Sequence, residues 1–283
     1  MVKIVECPRD AMQGIKNFID TEKKAAYINS LLPVGFDTID CGSFVSAKAI
    51  PQMADTALVL SKLNLDNTSS KLSVIVANKR GAIDACFFEK IDILGYPFSI
   101  SETFQQKNTN VTIEGSLQRV EAIFSLCEKY GKTLLIYLSM AFGNPYNDPW
   151  SADEVSKWIE KLAGLGIKHF ALSDTVGVSN PENISQIFST VVPQYEGLEI
   201  GAHFHTTPNT WFEKVDAAYN AGCTKFDGAI KGYGGCPMAK DDLIGNMPTE
   251  HLIQYFYEKE IIPNIKINLF EKALNKSDSV FLH

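Results

Sequence analysis

The chain has 283 residues, of which 45% are hydrophobic and 21% charged, and its formal net charge is −7. This is the profile of a globular protein with a substantial core, and the scattered basic residues argue against a nucleic-acid or membrane-surface partner. No apolar run approaches the roughly 20 residues of a membrane span, and Met1–Val5 passes at once into charge and proline, so it reads as a first strand and not as a signal peptide.

Six cysteines, Cys7, Cys41, Cys86, Cys127, Cys223 and Cys236, form no C-x-x-C pair and stand mostly in apolar surroundings. Reduced thiols of a cytoplasmic protein are expected, and a zinc–cysteine site is not.

Short β-rich runs alternate with helical patterns along the whole chain. Lys3–Glu6 predicts the first strand, ending at Cys7-Pro8-Arg9-Asp10, and Asp20–Leu32 a helix capped by Asp20 or Thr21. Phe36–Asp40 is the second strand, Asp55–Leu63 a helix, Lys71–Asn78 the third strand and Lys79–Glu89 a helix. Ile91–Leu94 and Pro97–Ser101 frame the fourth strand, with an irregularity at Gly95. Thr112–Tyr130 has the amphipathic spacing of a long helix that stops at Gly131, and Thr133–Leu138 is the fifth strand. Ser151–Gly164 opens with the capping box Ser151-x-x-Glu154. The sixth strand, Lys168–Leu172, runs into Ser173-Asp174-Thr175, and Asn180–Val192 is helical. The seventh, Leu198–Ala202, runs into His203-Phe204-His205, and a helix over Thr210–Ala221 leads to the eighth, Lys225–Ala229. Thr249–Lys259 is a helix, and the tail shows one more helical pattern around Leu269–Leu274.

Eight β-α pairs without a linker predict an α/β protein, a single (β/α)8 TIM barrel over residues 1–262 with a short C-terminal helical extension over 263–283. An open doubly wound sheet is the alternative; against it, no glycine-rich dinucleotide loop follows the first strand.

In such a barrel the chemistry sits at the C-terminal strand ends. There the sequence places Arg9, Asp10, Asp40, Asn78, Ser101, Ser139, Asp174, His203 and His205. Positions i and i+2 of a strand share a face, so His203 and His205 aim into one space. Two imidazoles with one carboxylate suit Mg²⁺, Mn²⁺ or Zn²⁺. Each of Asp10, Asp40 and Asp174 would by itself serve equally well as a helix cap. Arg9, beside Asp10, either pairs structurally with a carboxylate or offers fixed positive charge to a developing oxyanion. After the eighth strand, Lys231-Gly232-Tyr233-Gly234-Gly235-Cys236-Pro237 reads as a mobile loop carrying a thiol.

Taken together these segments resemble the 3-hydroxy-3-methylglutaryl-CoA lyase family, among the metal-dependent barrels that share an R-D motif on the first strand. Cys7-Pro8-Arg9-Asp10-Ala11-Met12-Gln13 is similar to the family's G-P-R-D-G-L-Q. Ser43–Lys48 with Pro51-Gln52-Met53 is similar to S-F-V-S-P-K and P-Q-M, Asp174–Gly177 to D-T-I-G, and His203-Phe204-His205 to H-x-H. Gly232–Pro237 is similar to G-L-G-G-C-P, and Gly245-Asn246 to the G-N that follows it. The resemblance implies that Asp10, His203, His205 and Asn246 ligate a divalent metal, magnesium or manganese with zinc as the third option. It implies Arg9 as the group that stabilises an enolate oxygen, Cys236 as the catalytic thiol, and Asp40 and Asp174 as active-site carboxylates. It further implies an acyl-CoA substrate, cleavage of 3-hydroxy-3-methylglutaryl-CoA to acetyl-CoA and acetoacetate, and a homodimer. A related aldolase or acyl-CoA condensing enzyme acting on another hydroxy acid is the alternative within enzymes, and a catalytically silent metabolite-binding barrel the alternative outside them. The departures from the pattern bear on specificity: Ala11 for glycine, Asp40 for glutamate, Thr206 for aspartate, Met238 for tyrosine, and a segment Lys240–Ile244 longer by about one residue.

Overall fold

The computed structural model describes residues 1–235, 244–261 and 263–281. Eight parallel strands close into a barrel: β1 (Lys3–Glu6), β2 (Thr38–Ser43), β3 (Lys71–Ile75), β4 (Ile93–Ser99), β5 (Thr133–Ser139), β6 (His169–Ser173), β7 (Glu199–His203) and β8 (Lys225–Gly228). Closure is made by β8 against β1, with Lys3 beside Lys225 and Glu6 beside Gly228. The helices are α1 (Pro8–Gln13), α2 (Thr21–Leu31), α3 (Thr56–Ser61), α4 (Lys79–Cys86), α5 (Glu102–Thr109), α6 (Ile113–Tyr130), α7 (Ala152–Gly164), α8 (Pro181–Gln194), α9 (Trp211–Asn220), α10 (Thr249–Glu258) and α11 (Ile267–Phe281). The predicted TIM barrel is the architecture observed. Among the described residues no helix is long and apolar enough to cross a membrane.

Parallel strands covered on both faces read as near-continuous apolar runs. β5, Thr-Leu-Leu-Ile-Tyr-Leu-Ser, is buried at every position after Thr133. Its even-numbered residues, Leu134, Ile136 and Leu138, face the helical layer, where the main core lies. Leu135 and Tyr137 point inward and pack with Ile93, Ala171 and Ile75 in a small separate cluster that fills the barrel below the site.

The irregularity expected at Gly95 is absent, since β4 runs unbroken from Ile93 to Ser99. Gly95 is there for space. A Cβ at this position would stand 2.8 Å from Ile75 Cδ1 and 2.9 Å from the Tyr137 ring. The real irregularity lies in β2, where the register against β3 shifts between Asp40 and Gly42. A bulge of this kind re-aims the neighbouring side chain, and here the neighbour is Asp40.

At the opposite end of the barrel Lys225 bonds Glu199 at 2.6 Å, and Lys3, Asp37 and His169 join the same ionic network. Burial would raise the Glu199 carboxyl, but His169 and Lys225 outweigh it and hold it far below the usual range. Charge at this face serves the stability of the barrel floor.

The tail forms a longer helix than the short pattern around Leu269–Leu274 predicts. Phe270, Ala273, Ser277 and Val280 repeat at helical spacing and are all buried, but a serine in the stripe hides the periodicity from a hydropathy reading. α11 lies on α2, with Phe281 edge-on to Tyr27 at 5.7 Å and Phe270 edge-on to Phe36 at 6.3 Å. Its far end reaches the start of the glycine loop, where Tyr233 stacks on Phe281 at 4.4 Å and Lys231 pairs with Asp278.

Candidate active site

The site is built from strand ends inward. β1 stops at Cys7, and Pro8 occupies the first turn of α1, where a missing N–H costs nothing and the fixed φ favours helix. This short helix holds Arg9 and Asp10, both buried, over the barrel mouth. Arg9 donates from Nε and Nη2 to Asp40 Oδ2 at 2.9 and 2.5 Å, and from Nη1 to Asp10 Oδ1 at 3.0 Å and Gln13 Oε1 at 2.9 Å. The guanidinium plane is therefore fixed by two carboxylates and an amide.

β7 delivers the histidines. His203 is its last residue, Phe204 turns back into the core against Phe142 and Phe188, and His205 opens a two-residue antiparallel ladder with Gly245–Asn246. The two rings lie 5.4 Å apart on the same side, as the i, i+2 spacing predicts. His203 Nε2 is 3.7 Å from Asp10 Oδ2. One ligand atom from each of Asp10, His203 and His205 lies within 4.8 Å of the others.

Both rings are pinned through the other nitrogen. His203 Nδ1 meets Asp227 Oδ2 at 3.1 Å, and His205 Nδ1 meets the Thr175 carbonyl at 3.1 Å. Such outer partners fix the tautomer and leave Nε2 free for a ligand. Burial would raise the Asp10 carboxyl, but Arg9 and then the two histidines outweigh it and hold it below the usual range. Burial and the neighbouring His203 push His205 down, which favours the neutral ring a metal needs. Burial opposes charge on His203 too, but the Asp227 carboxylate prevails and raises it. An ionised carboxylate and two oriented imidazoles fit a divalent cation. Asn246, opposite His205 in the ladder, borders the same space, and its Nδ2 donates to the Tyr233 carbonyl at 2.8 Å.

The two remaining carboxylates differ in kind. Asp174 is saturated: Oδ1 accepts from the Ser179 N–H at 3.1 Å, and Oδ2 from the Ser179 hydroxyl at 2.6 Å and Lys214 Nζ at 2.8 Å. Lys214, itself buried, also donates to the His205 carbonyl at 2.8 Å. Asp40 takes both Arg9 bonds on Oδ2, and its buried Oδ1 has no partner among the described residues. Burial pushes the Asp40 carboxyl up to about 6, against the pull of Arg9.

None of Asp10, Asp40 and Asp174 accepts a cap bond at the start of a helix; that role falls to Asn78 and Ser101, whose side chains accept from Gly81 and Phe104 N–H. Ser139 is buried at the end of β5. Cys236, Met238, Asp241 and Asp242 lie outside the described residues. The loop before them does lie on the site. Gly234 has φ +84°, and a Cβ there would stand 2.6 Å from the Asp10 carbonyl, so glycine alone permits this approach.

Sequence reasoning missed four participants: Asp227, Thr175, Lys214 and Tyr137, the last edge-on to His203 at 5.5 Å. Asp227 had one available signal, a carboxylate set between Phe226 and Gly228 inside a strand.

The chain matches the HMGL-like family model over residues 2–276. It is 34% identical over 255 residues to the cytoplasmic 3-hydroxy-3-methylglutaryl-CoA lyase of Danio rerio, covering 89% of this chain and 75% of that protein. It is 31% identical over 276 residues to hydroxymethylglutaryl-CoA lyase YngG of Bacillus subtilis, covering 95% and 88%. Among solved structures, an HMG-CoA lyase from Acinetobacter baumannii in complex with coenzyme A and 3-methylmalate superposes with a TM-score of 0.92 at 29% identity, covering all of this chain and 92% of that one. The pinned histidine pair, the R-D segment laid against it and the glycine loop that closes on Asp10 thus occur in a chain that belongs to the HMGL-like family.

Proposed function

We propose that this protein is a divalent-metal-dependent carbon–carbon lyase that cleaves 3-hydroxy-3-methylglutaryl-CoA, or a close analogue, to acetyl-CoA and acetoacetate. The observation that carries it is the convergence of Asp10, His203 and His205 beside the fixed guanidinium of Arg9. Asp10, His203, His205 and Asn246 would hold the ion, magnesium or manganese with zinc as the third option. Bound there, the ion supplies Lewis acidity that eases loss of a proton from a tertiary hydroxyl.

The chain's own residues supply the rest. Asp174 has both oxygens occupied and a lysine against it, so it positions and does not carry a proton. Asp40 keeps an unpartnered oxygen and a carboxyl raised to about 6, which suits the base that takes the hydroxyl proton. The carbon–carbon electron pair then moves onto the thioester oxygen. Arg9, held permanently charged by the carboxylates on either side, would stabilise that enolate. A proton returns to carbon to complete acetyl-CoA, and Cys236 is our candidate donor by its place in the motif. Glycine at 232, 234 and 235 lets the loop lie close over the site and exclude water during this step.

The acyl-CoA substrate is supported by the A. baumannii lyase that binds coenzyme A with 3-methylmalate. We read residues 1–262 as the catalytic unit and 263–283 as its extension, the protein as a homodimer, and its compartment as the cytoplasm, like that of the D. rerio relative. Purified protein with Mg²⁺ or Mn²⁺ should release acetoacetate from 3-hydroxy-3-methylglutaryl-CoA. No release at any concentration of either metal rejects the assignment.

A further inference from the structure

The residue that opens the R-D segment is cysteine where the resembled family has glycine. Cys7 is 1% exposed, and its N–H donates to the Gly228 carbonyl at 2.8 Å, which sets it beside the end of β8. One ligand atom from each of Cys7, His203 and Asp227 lies within 4.8 Å of the others. His203 already meets Asp227 through Nδ1 at 3.1 Å, while its Nε2 faces Asp10. The His203 ring thus stands between two clusters. One offers oxygen and nitrogen, and the other adds a sulfur.

We propose that Cys7, His203 and Asp227 form a second metal site, selective for a borderline-soft divalent ion of the zinc class. Zinc takes nitrogen and carboxylate oxygen at about 2.0–2.2 Å and thiolate sulfur at about 2.3 Å in a tetrahedron, which sets the nitrogen–oxygen edge at about 3.3 Å. The edge already present is 3.1 Å. A thiolate in the donor set disfavours magnesium, whose preference is for hard oxygen. The ligands come from the residue after β1 and from β7 and β8, far apart in sequence, which is why cysteine spacing gives no hint of the site.

Binding has a consequence for the neighbouring cluster. Ligation sends the Cys7 thiol proton to solvent, and with Nδ1 on the metal the one proton of a neutral His203 ring sits on Nε2. Nε2 then has no lone pair to offer Asp10's cluster. Filling the sulfur site therefore withdraws His203 from the other one, and the two occupancies exclude each other. The site itself does not depend on the lyase reading, and its test uses no turnover.

Cobalt(II) is the probe, because a thiolate ligand gives it a sulfur-to-metal charge-transfer band that oxygen and nitrogen ligands do not. Titrating the full chain should develop this band to saturation at a single equivalent. Cys7→Ala should remove it and Cys236→Ala should keep it, with circular dichroism confirming that both are folded; Cys7→Gly, the residue of the resembled motif, serves if the alanine variant does not fold. Asp227→Asn should weaken cobalt binding by tenfold or more. Raising Mg²⁺ should move the cobalt midpoint to higher concentration. A wild-type chain without the band, or a band that survives in the folded Cys7 variant, overturns the site. A midpoint indifferent to Mg²⁺ overturns the mutual exclusion.

Discussion

Replacing Lys214 by methionine tests whether Asp174 is a strut or a proton carrier. Lys214 and Asp174 have side chains 2% and 0% exposed and stand 2.8 Å apart. At that distance two unit charges attract by about 6 kcal/mol for an effective dielectric near 20. Most of this offsets the desolvation of both groups, so what the substitution exposes is the cost of stranding Asp174. Breaking a buried pair from one side costs about 3–5 kcal/mol. The two Ser179 donors that remain on Asp174 place the expectation at the lower end, about 3 kcal/mol. Asp174→Asn strands the lysine instead, and the double variant Lys214→Met/Asp174→Asn removes both charges. The double variant should recover at least about 2 kcal/mol relative to the sum of the singles. Urea unfolding of the four proteins gives these differences, with m-values showing that the unfolding remains comparable. Divalent-ion affinity measured by calorimetry should fall about tenfold in Lys214→Met, because the carbonyl of His205, a proposed ligand, loses its anchor. If Lys214→Met lies within about 1 kcal/mol of wild type, or the two singles add, Asp174 is not held by this pair and its exclusion as the proton carrier fails.

Asp10→Ala should abolish calorimetric Mg²⁺ and Mn²⁺ binding while the barrel stays folded; unchanged affinity removes Asp10 from the ligand set. Arg9→Met should retain fold and metal but lose kcat by about 10²–10³, the cost of a missing oxyanion donor; an unaltered kcat assigns Arg9 to structure alone. Glu6 is fully buried, and burial pushes its carboxyl up from 4.5 to about 8 against the donors Thr249 and Ile230. The folded protein then keeps a proton that the unfolded chain has lost, so Glu6 subtracts stability progressively as pH rises from about 4.5 to about 8. Glu6→Gln should flatten the pH dependence of the urea midpoint across that window, and parallel profiles for the two proteins would contradict the buried, protonated glutamate.

The barrel was legible because its strands are buried on both faces and its helices carry period and caps. Those are local signals, and Ser151, Asn180, Thr112 and Asn78 cap helices where the spacing expects starts. What failed was also physical. Gly95 looked like a break, but it makes room for Tyr137, a contact between strands that no window along the chain contains. Asp174 looked equivalent to Asp40, because sequence shows the acid and not its partners. Lys214 reaches it from α9, the second helix after it, and that partner leaves one carboxylate saturated while the other keeps an oxygen without a partner among the described residues.

The groups around the candidate site share one design. His203 is held by Asp227, His205 by the Thr175 carbonyl, Arg9 by Asp40 and Asn246 by the Tyr233 carbonyl, each from a different part of the rim. The first of these pairings is a matter of register: His203 and Asp227 are direct partners across β7 and β8, and residues side by side in a parallel sheet point to the same face. A slip of one residue between these strands would turn Asp227 outward into the helical layer and leave His203 unoriented. The site's readiness for an ion is therefore a property of how the barrel closes. Residues Lys3–Glu6 contribute to it without touching the ion, because their pairing with Lys225–Gly228 fixes where β8, and so Asp227, comes to rest.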